Sequence, residues 1–256
     1  MADFDNRVTT GQATVTDVTD AGLRAYMIRI YNYMFIGLAI TGIVAYGTFM
    51  LSTTTDPAFA AAQMRNGVLL TNIGVALYGS PLQWVVIFSP LILVFLLSAR
   101  IPHMSVGAAQ MAFWAFAAVM GISLSSIFIV YLSASIAQVF FITAAMFGAM
   151  SLWGYTTKTD LTGFGSFLMM GLWGVIIASV VNVFLQSEML SFIYSIVGVI
   201  VFTGITAYKT QQLKEMYTVN DDGTVMGRKA IFGALSLYIT FINLFLSLLR
   251  LMGSRR

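Results

Sequence analysis

Thr240 and Asn243 lie in the middle of an uninterrupted apolar run, Leu237-Tyr238-Ile239-Thr240-Phe241-Ile242-Asn243-Leu244-Phe245. Three-residue spacing puts them on one face of a helix. A second polar group, Ala207-Tyr208-Lys209-Thr210-Gln211, closes the apolar stretch that begins at Ser195, and Arg100 closes another. Polar groups at membrane depth are costly and mark ion or solute paths, or bonds between helices. For Lys209 and Arg100 the plainer account is a stem laid along an apolar helix end with the charge reaching water. For Thr240 and Asn243 it is an interhelical hydrogen bond that fixes packing.

The residues that are missing narrow the chemistry further. None of the 10 carboxylates falls inside an apolar stretch, although proton relays and dehydrated cation sites are built from them. With no cysteine there is no disulfide, thiolate metal site or cysteine nucleophile. The single histidine, His103, stands beside Pro102 at a helix end and reads as a loop residue. A serine protease within the membrane needs an embedded base, and no Gly-x-Ser-x-Gly elbow occurs. A retinal-type lysine would want a carboxylate counter-ion. The chain therefore reads as a non-enzyme, without catalytic residues, metal or cofactor. Its 16 methionines and 20 phenylalanines read as core and lipid-facing filler.

The elements that carry these groups are membrane spans. The chain of 256 residues is 59% hydrophobic and 9% charged, with a mean hydropathy of +0.87; a soluble domain carries about 25% charged residues. The stretch 101–157 has no Asp, Glu, Lys or Arg, far more than the roughly 20 residues needed to cross a bilayer. The fold class is all-α and polytopic. The net charge of +3 comes from loop residues and gives no reason to expect nucleic acid binding.

Taken in order, residues 1–26 read as a disordered cytoplasmic tail, 27–252 as a transmembrane bundle and 253–256 as a short basic tail. Seven spans are expected, at about Met27–Leu51, Trp84–Ala99, Gly107–Leu132, from Ser135 to near Trp153, Phe164–Leu185, Met189–Tyr208 and Ile231–Met252. Pro90 should kink the second. In the long connection before it, Ala58–Met64 suggests a short interfacial helix, and Asn66–Tyr78 a loop packed on the outer surface. Ala144 with Gly148, and Gly174 with Ala178, are spaced for close helix approach. An inside N-terminus puts Arg7, Arg24, Arg29, Arg100, Lys158, Lys209, Lys214, Arg228 and Lys229 on the inner side. Arg65, Arg250, Arg255 and Arg256 then lie outside, a balance that supports this orientation. A re-entrant last segment would move the C-terminal arginines inside; the full-length, unbroken helix pattern favours a complete crossing.

Four ordered motifs resemble the Bax inhibitor-1, or transmembrane Bax-inhibitor-motif, family, and its bacterial members in particular. They are Thr157-Lys158-Thr159-Asp160-Leu161-Thr162, Gly198-Val199-Ile200-Val201-Phe202-Thr203-Gly204, Thr206-Ala207-Tyr208-Lys209-Thr210-Gln211-Gln212-Leu213-Lys214, and the run from Leu237 to Phe245. The resemblance implies a seven-helix bundle in the bacterial inner membrane, with the last helix central and the other six around it. It implies a calcium leak, or a stress-protective role in membrane and ion homeostasis. A non-conducting interaction protein that regulates another membrane protein, such as a membrane-bound protease, is the alternative. The implied partners are the lipid bilayer, calcium or another ion, and a membrane protein.

In channel-like relatives two aspartates form a pH-responsive latch near the inner mouth, paired with an arginine of the second helix that matches Arg100. One aspartate falls where this chain has Lys209 and the other where it has Thr240. The latch and pore residues to examine are thus Arg100, Lys209, Thr240 and Asn243. If the family geometry holds, Arg100 and Lys209 approach one another. Two positive charges at about 6 Å repel by roughly 3 kcal/mol at an effective dielectric near 20.

Overall fold

The computed structural model describes residues 2–64 and 67–255, with side chains from Ala21 onward. Seven helices are long and apolar enough to cross a membrane. They are α1 (Ala2–Ser52, of which Ala21–Ser52 is the apolar crossing), α2 (Leu82–Arg100), α3 (Val106–Leu124), α4 (Ser133–Thr156), α5 (Thr162–Leu185), α6 (Glu188–Glu215) and α7 (Gly223–Met252). The side chains of residues 1–20, most of the tail expected over 1–26, lie outside the described ones. Ala21–Tyr26 are helical, and Tyr26 is buried.

The helix ends are fixed by short polar side chains that satisfy first-turn N–H groups. Ser105 accepts from the Ala108 N–H and Asp222 from the Val225 N–H (2.6 Å). Asp160 Oδ1 accepts from the Thr162 N–H at 2.8 Å, and its bonds to Thr162 hold the carboxyl below its ordinary pKa. The α5–α6 turn is only Gln186 and Ser187. Gln186 takes a left-handed φ of 49°, and Asn182 Oδ1 receives the Ser187 N–H at 3.0 Å, so Asn182 is a turn-former.

α7 is the axis. Of its most apolar window 72% is buried, against 11% for α2 and for α5. α1, α3, α4 and α6 pack directly on α7, while α2 leans mainly on α3 and α5 on α6. The expected ring of six is thus four inner helices with two outriders. Tyr238, fully buried, stands edge-on to Phe113 and Phe116 of α3, with ring centroids 5.7 Å apart in both pairs.

Several boundaries differ from expectation. α6 runs on through Lys209 and Thr210 to Glu215, because the polar side chains there are bonded to neighbouring segments and need no loop. α7 starts at Gly223, eight residues before Ile231, on its Asp222 cap. The third crossing breaks after Leu124 and resumes as a short turn, Ile127–Val130. The expected interfacial helix over Ala58–Met64 is absent. Instead Pro57–Phe59 form one tight turn, and β1 (Thr53–Thr54), β2 (Ala62–Gln63) and β3 (Leu69–Leu70) make a small sheet in the order β1-β3-β2. Gly67, at φ 83°, permits the reversal between β2 and β3.

Pro90 lies inside α2 and is buried. A proline there leaves the carbonyl four residues back without its helical donor. That carbonyl, of Val86, is taken by the hydroxyl of Ser123 from α3, with Ser89 Oγ at 3.1 Å.

The C-terminus settles at the end of the bundle where α4 begins: Leu132 N–H donates to Ser254 O (3.0 Å), and Ser254 N–H to Ser135 Oγ (2.9 Å). The opposite end holds the start of α7, where Arg228 donates to Pro102 O at 2.7 Å. α7 therefore runs the full length of the bundle, as the expected complete crossing requires.

α4 and α6 meet at Gly154, where an added Cβ would sit 2.3 Å from the Ala207 carbonyl oxygen, whereas one at Gly148 meets nothing within 4 Å. Gly154→Val should destabilise the protein by about 1–3 kcal/mol or more through overpacking. Gly148→Ala should leave the melting temperature in detergent unchanged. Equal melting of the two variants would place the tight α4–α6 contact elsewhere.

Candidate functional site

One cavity of about 450 Å³ collects the polar residues of the last two helices. It lies beside α7, walled by α5 and α6, with Leu91 of α2 at its edge. Lys209, Thr240 and Asn243 all line it, and so do Ser236, Ser247 and Arg250. The α7 members recur at steps of four, three, four and three from Ser236, one stripe along the helix. Over those 14 residues the stripe is about 21 Å long. Arg100, the fourth expected residue, is not among the lining residues. It is exposed where α2 passes into the short turn Ile101–His103, and α2 packs mainly on α3. His103 is exposed in that turn. Arg250 stands in the cavity instead, its guanidinium 5.5 Å from the centre of the Tyr194 ring.

The stripe is satisfied from within its own helix. Thr240 Oγ1 donates to Ser236 O, Asn243 Nδ2 to Ile239 O and Ser247 Oγ to Asn243 O, each at 2.9 Å. The interhelical bond expected of Thr240 and Asn243 is therefore not made. In a low-dielectric interior the carbonyl four residues back is the nearest partner, and it costs no second helix. The hydroxyl lone pairs and Asn243 Oδ1 remain as acceptors toward the cavity. Lys209 Nζ donates to Gln212 Oε1 at 3.0 Å and lies 5.7 Å from the Tyr208 ring centre. No carboxylate lines the cavity, and among the described residues no cluster of His, Cys, Asp or Glu could hold a metal ion. What remains is a polar crevice with one cation on α6 and another at the far end of α7. It can hydrogen-bond a hydrated solute, and its charge disfavours cations.

Bonds between helices come from other residues. Tyr238 OH meets Thr41 Oγ1 of α1 at 2.6 Å, and the carbonyls of Gly37 and Ala117, both 2.9 Å from Thr41 Oγ1, share its one proton. A hydroxyl relay joins three helices. Tyr31 of α1 bonds Ser151 of α4, Ser151 lies 2.9 Å from Thr210 of α6, and Thr210 donates to Thr206 O at 2.9 Å. Gln211 clips the α4–α5 turn, accepting from the Leu161 N–H and donating to Thr159 O, both at 2.8 Å. Lys214 donates to Tyr155 O at 3.0 Å. Much of the polar motif over Thr206–Lys214 thus holds α6 to α4 and the α4–α5 turn. Ser236, Ser247 and Arg250 were readable as a helical stripe; Tyr31, one of several polar residues at the start of its span, and Thr41, a lone one within it, carry no such signal.

Seven apolar crossings, the last of them buried among the other six with this crevice at its side, define a polytopic α-helical integral membrane protein. Residues 23–256 match the family described as "Inhibitor of apoptosis-promoting Bax1". The chain belongs to the Bax inhibitor-1 family. It is 48% identical to the inner membrane protein YbhL of Escherichia coli (strain K12), over 92% of this chain and 94% of that one. It is 40% identical to an uncharacterized protein of Rickettsia prowazekii over the full length of both. An uncharacterized membrane protein of Streptococcus pyogenes is 34% identical over 92% of this chain and 95% of its own. With its seven apolar helices, the chain is a multi-pass protein of the inner membrane.

Gln211→Leu would strand the buried Leu161 N–H and the Thr159 carbonyl together, at a cost of about 1–3 kcal/mol. The expected result is a clear drop in melting temperature in detergent, larger than that of Gln212→Leu. No difference between the two would remove Gln211 from the list of structural clips.

Proposed function

We propose that this chain acts in ion leak or membrane homeostasis through the polar crevice along α7, with Lys209 and Thr240 in place of the acidic latch of channel-like relatives. The observation that carries the reading is the meeting of Lys209, Thr240 and Asn243 on one cavity that no carboxylate lines. A calcium ion about 6 Å from the Lys209 ammonium is repelled by roughly 5 kcal/mol at an effective dielectric near 20. The crevice thus offers hydrogen-bonding groups to a solute and a barrier to divalent cations. Wild type should leak little calcium and lack acid-side gating.

Dye-loaded proteoliposomes test this. Wild type should stay near the protein-free baseline, while Lys209→Asp with Thr240→Asp should leak calcium with a pH dependence between about pH 5 and 8, where a carboxylate pair in a confined site titrates. Arg100→Ala in the same background should change little, because Arg100 stands outside the cavity. Equal, pH-independent flux in wild type and the double variant would show that these positions control no pore. Stoichiometric crosslinking to one membrane protein, with no ion flux from any variant, would replace the leak reading with that of a regulatory partner.

A further inference from the structure

α1 and α4 each pack against α7 but scarcely meet one another. The crevice between them holds a cavity of about 630 Å³, reaching from Arg24 and Tyr155 to Phe35 and Phe147. A second cavity of about 490 Å³ shares Phe35 and continues to Ser133, so the crevice follows most of the length of both helices. Its floor is apolar, with Phe241 and Phe245 of α7 beneath it. Gly148 lines one wall and Gly42 the other, and a Cβ at either would meet nothing within 4 Å. Ala144 and Gly148, spaced for a close-packed helix, are both exposed, and Gly148 lines the crevice.

The one charged residue lining the first cavity stands at one end, while Tyr31 and Ser151, bonded to each other, line its middle. Arg24 is exposed there, and Asn32 and Tyr155 line the same cavity. Lys214 sits on Tyr155, with Nζ 3.0 Å from its carbonyl oxygen and 5.4 Å from its ring centre. Among the described residues the only ion pair is Lys229 with Asp221, and no described carboxylate neutralises Arg24 or Lys214. An apolar slot with unpaired cations at its mouth matches an acyl chain joined to a negative headgroup.

We propose that the α1–α4 crevice is a binding site for one anionic phospholipid, with an acyl chain lying on the α7 phenylalanines and the phosphate at Arg24 and Lys214. The occupant comes from the leaflet at the Arg24 end, and the site is separate from the crevice on the α5 side of α7. Removing Arg24 weakens recognition of the headgroup; filling the space at Gly148 blocks the chain while leaving the fold intact.

Native mass spectrometry of the full chain, equilibrated with phosphatidylglycerol or phosphatidylcholine of identical acyl chains, tests it. Wild type should retain one phosphatidylglycerol in preference to phosphatidylcholine, by about fivefold for each cation engaged. Arg24→Gln should cut that preference by about the same factor. Gly148→Leu should lose retention of both lipids with an unchanged melting temperature. Equal retention of the two lipids by wild type would overturn the proposal, as would undiminished retention by Gly148→Leu. A wild-type dimer that Gly148→Leu converts to a lipid-free monomer would assign the crevice to a second copy instead. Should Gly148→Leu fail to fold, the Arg24→Gln preference decides.

Discussion

Surrounding one helix by others in a medium without water imposes the condition on which this structure depends. Nothing in hydrocarbon pays for an unsatisfied polar group, so every such group on α7 needs a protein partner. α7 meets that condition in two ways. Thr240, Asn243 and Ser247 turn their donors back onto their own backbone. Tyr238 reaches Thr41, and its ring is held edge-on by Phe113 and Phe116. The first device leaves these three side chains without a hydrogen bond to a neighbouring helix. The second ties the opposite side to α1 and α3. α7 is thus tied by a hydrogen bond and aromatic edges on one flank, while on the other it packs along α6 and borders the crevice.

The motif residues divide along the same line. Thr210, Gln211 and Lys214 hold helices and turns together, and a change there would be felt in stability. Lys209 differs: it shares its ammonium with Gln212 on its own helix and faces the crevice. A charge reversal at such a position can be accommodated without rearranging the fold.

The crossings were legible because uncharged runs of spanning length leave few alternatives, and the central position of the last helix followed from the family resemblance. Boundaries were less so. Polar clusters such as Ala207–Gln211 look like the end of a span until their partners on α4 and the α4–α5 turn are known. Thr240 and Asn243 were correctly seen as sharing a face, yet their bonding could not be, since helix-internal and interhelical partners are equally compatible with the spacing. Arg100 was grouped with Lys209 by analogy, and its actual exposure depends on how α2 leans against α3. The small sheet between α1 and α2 rests on two-residue strands, too short to leave an alternating pattern.

The carbonyl that Pro90 deprives of its donor is answered from α3, by Ser123. Within α2 the Ser89 hydroxyl also reaches that oxygen, at 3.1 Å, so the defect is patched locally and completed by the next helix in the chain. During synthesis the second span would enter the bilayer with the Val86 carbonyl held by Ser89 alone and gain its second donor when the third arrives beside it. The proline thus links the two spans in assembly as well as giving the second its shape.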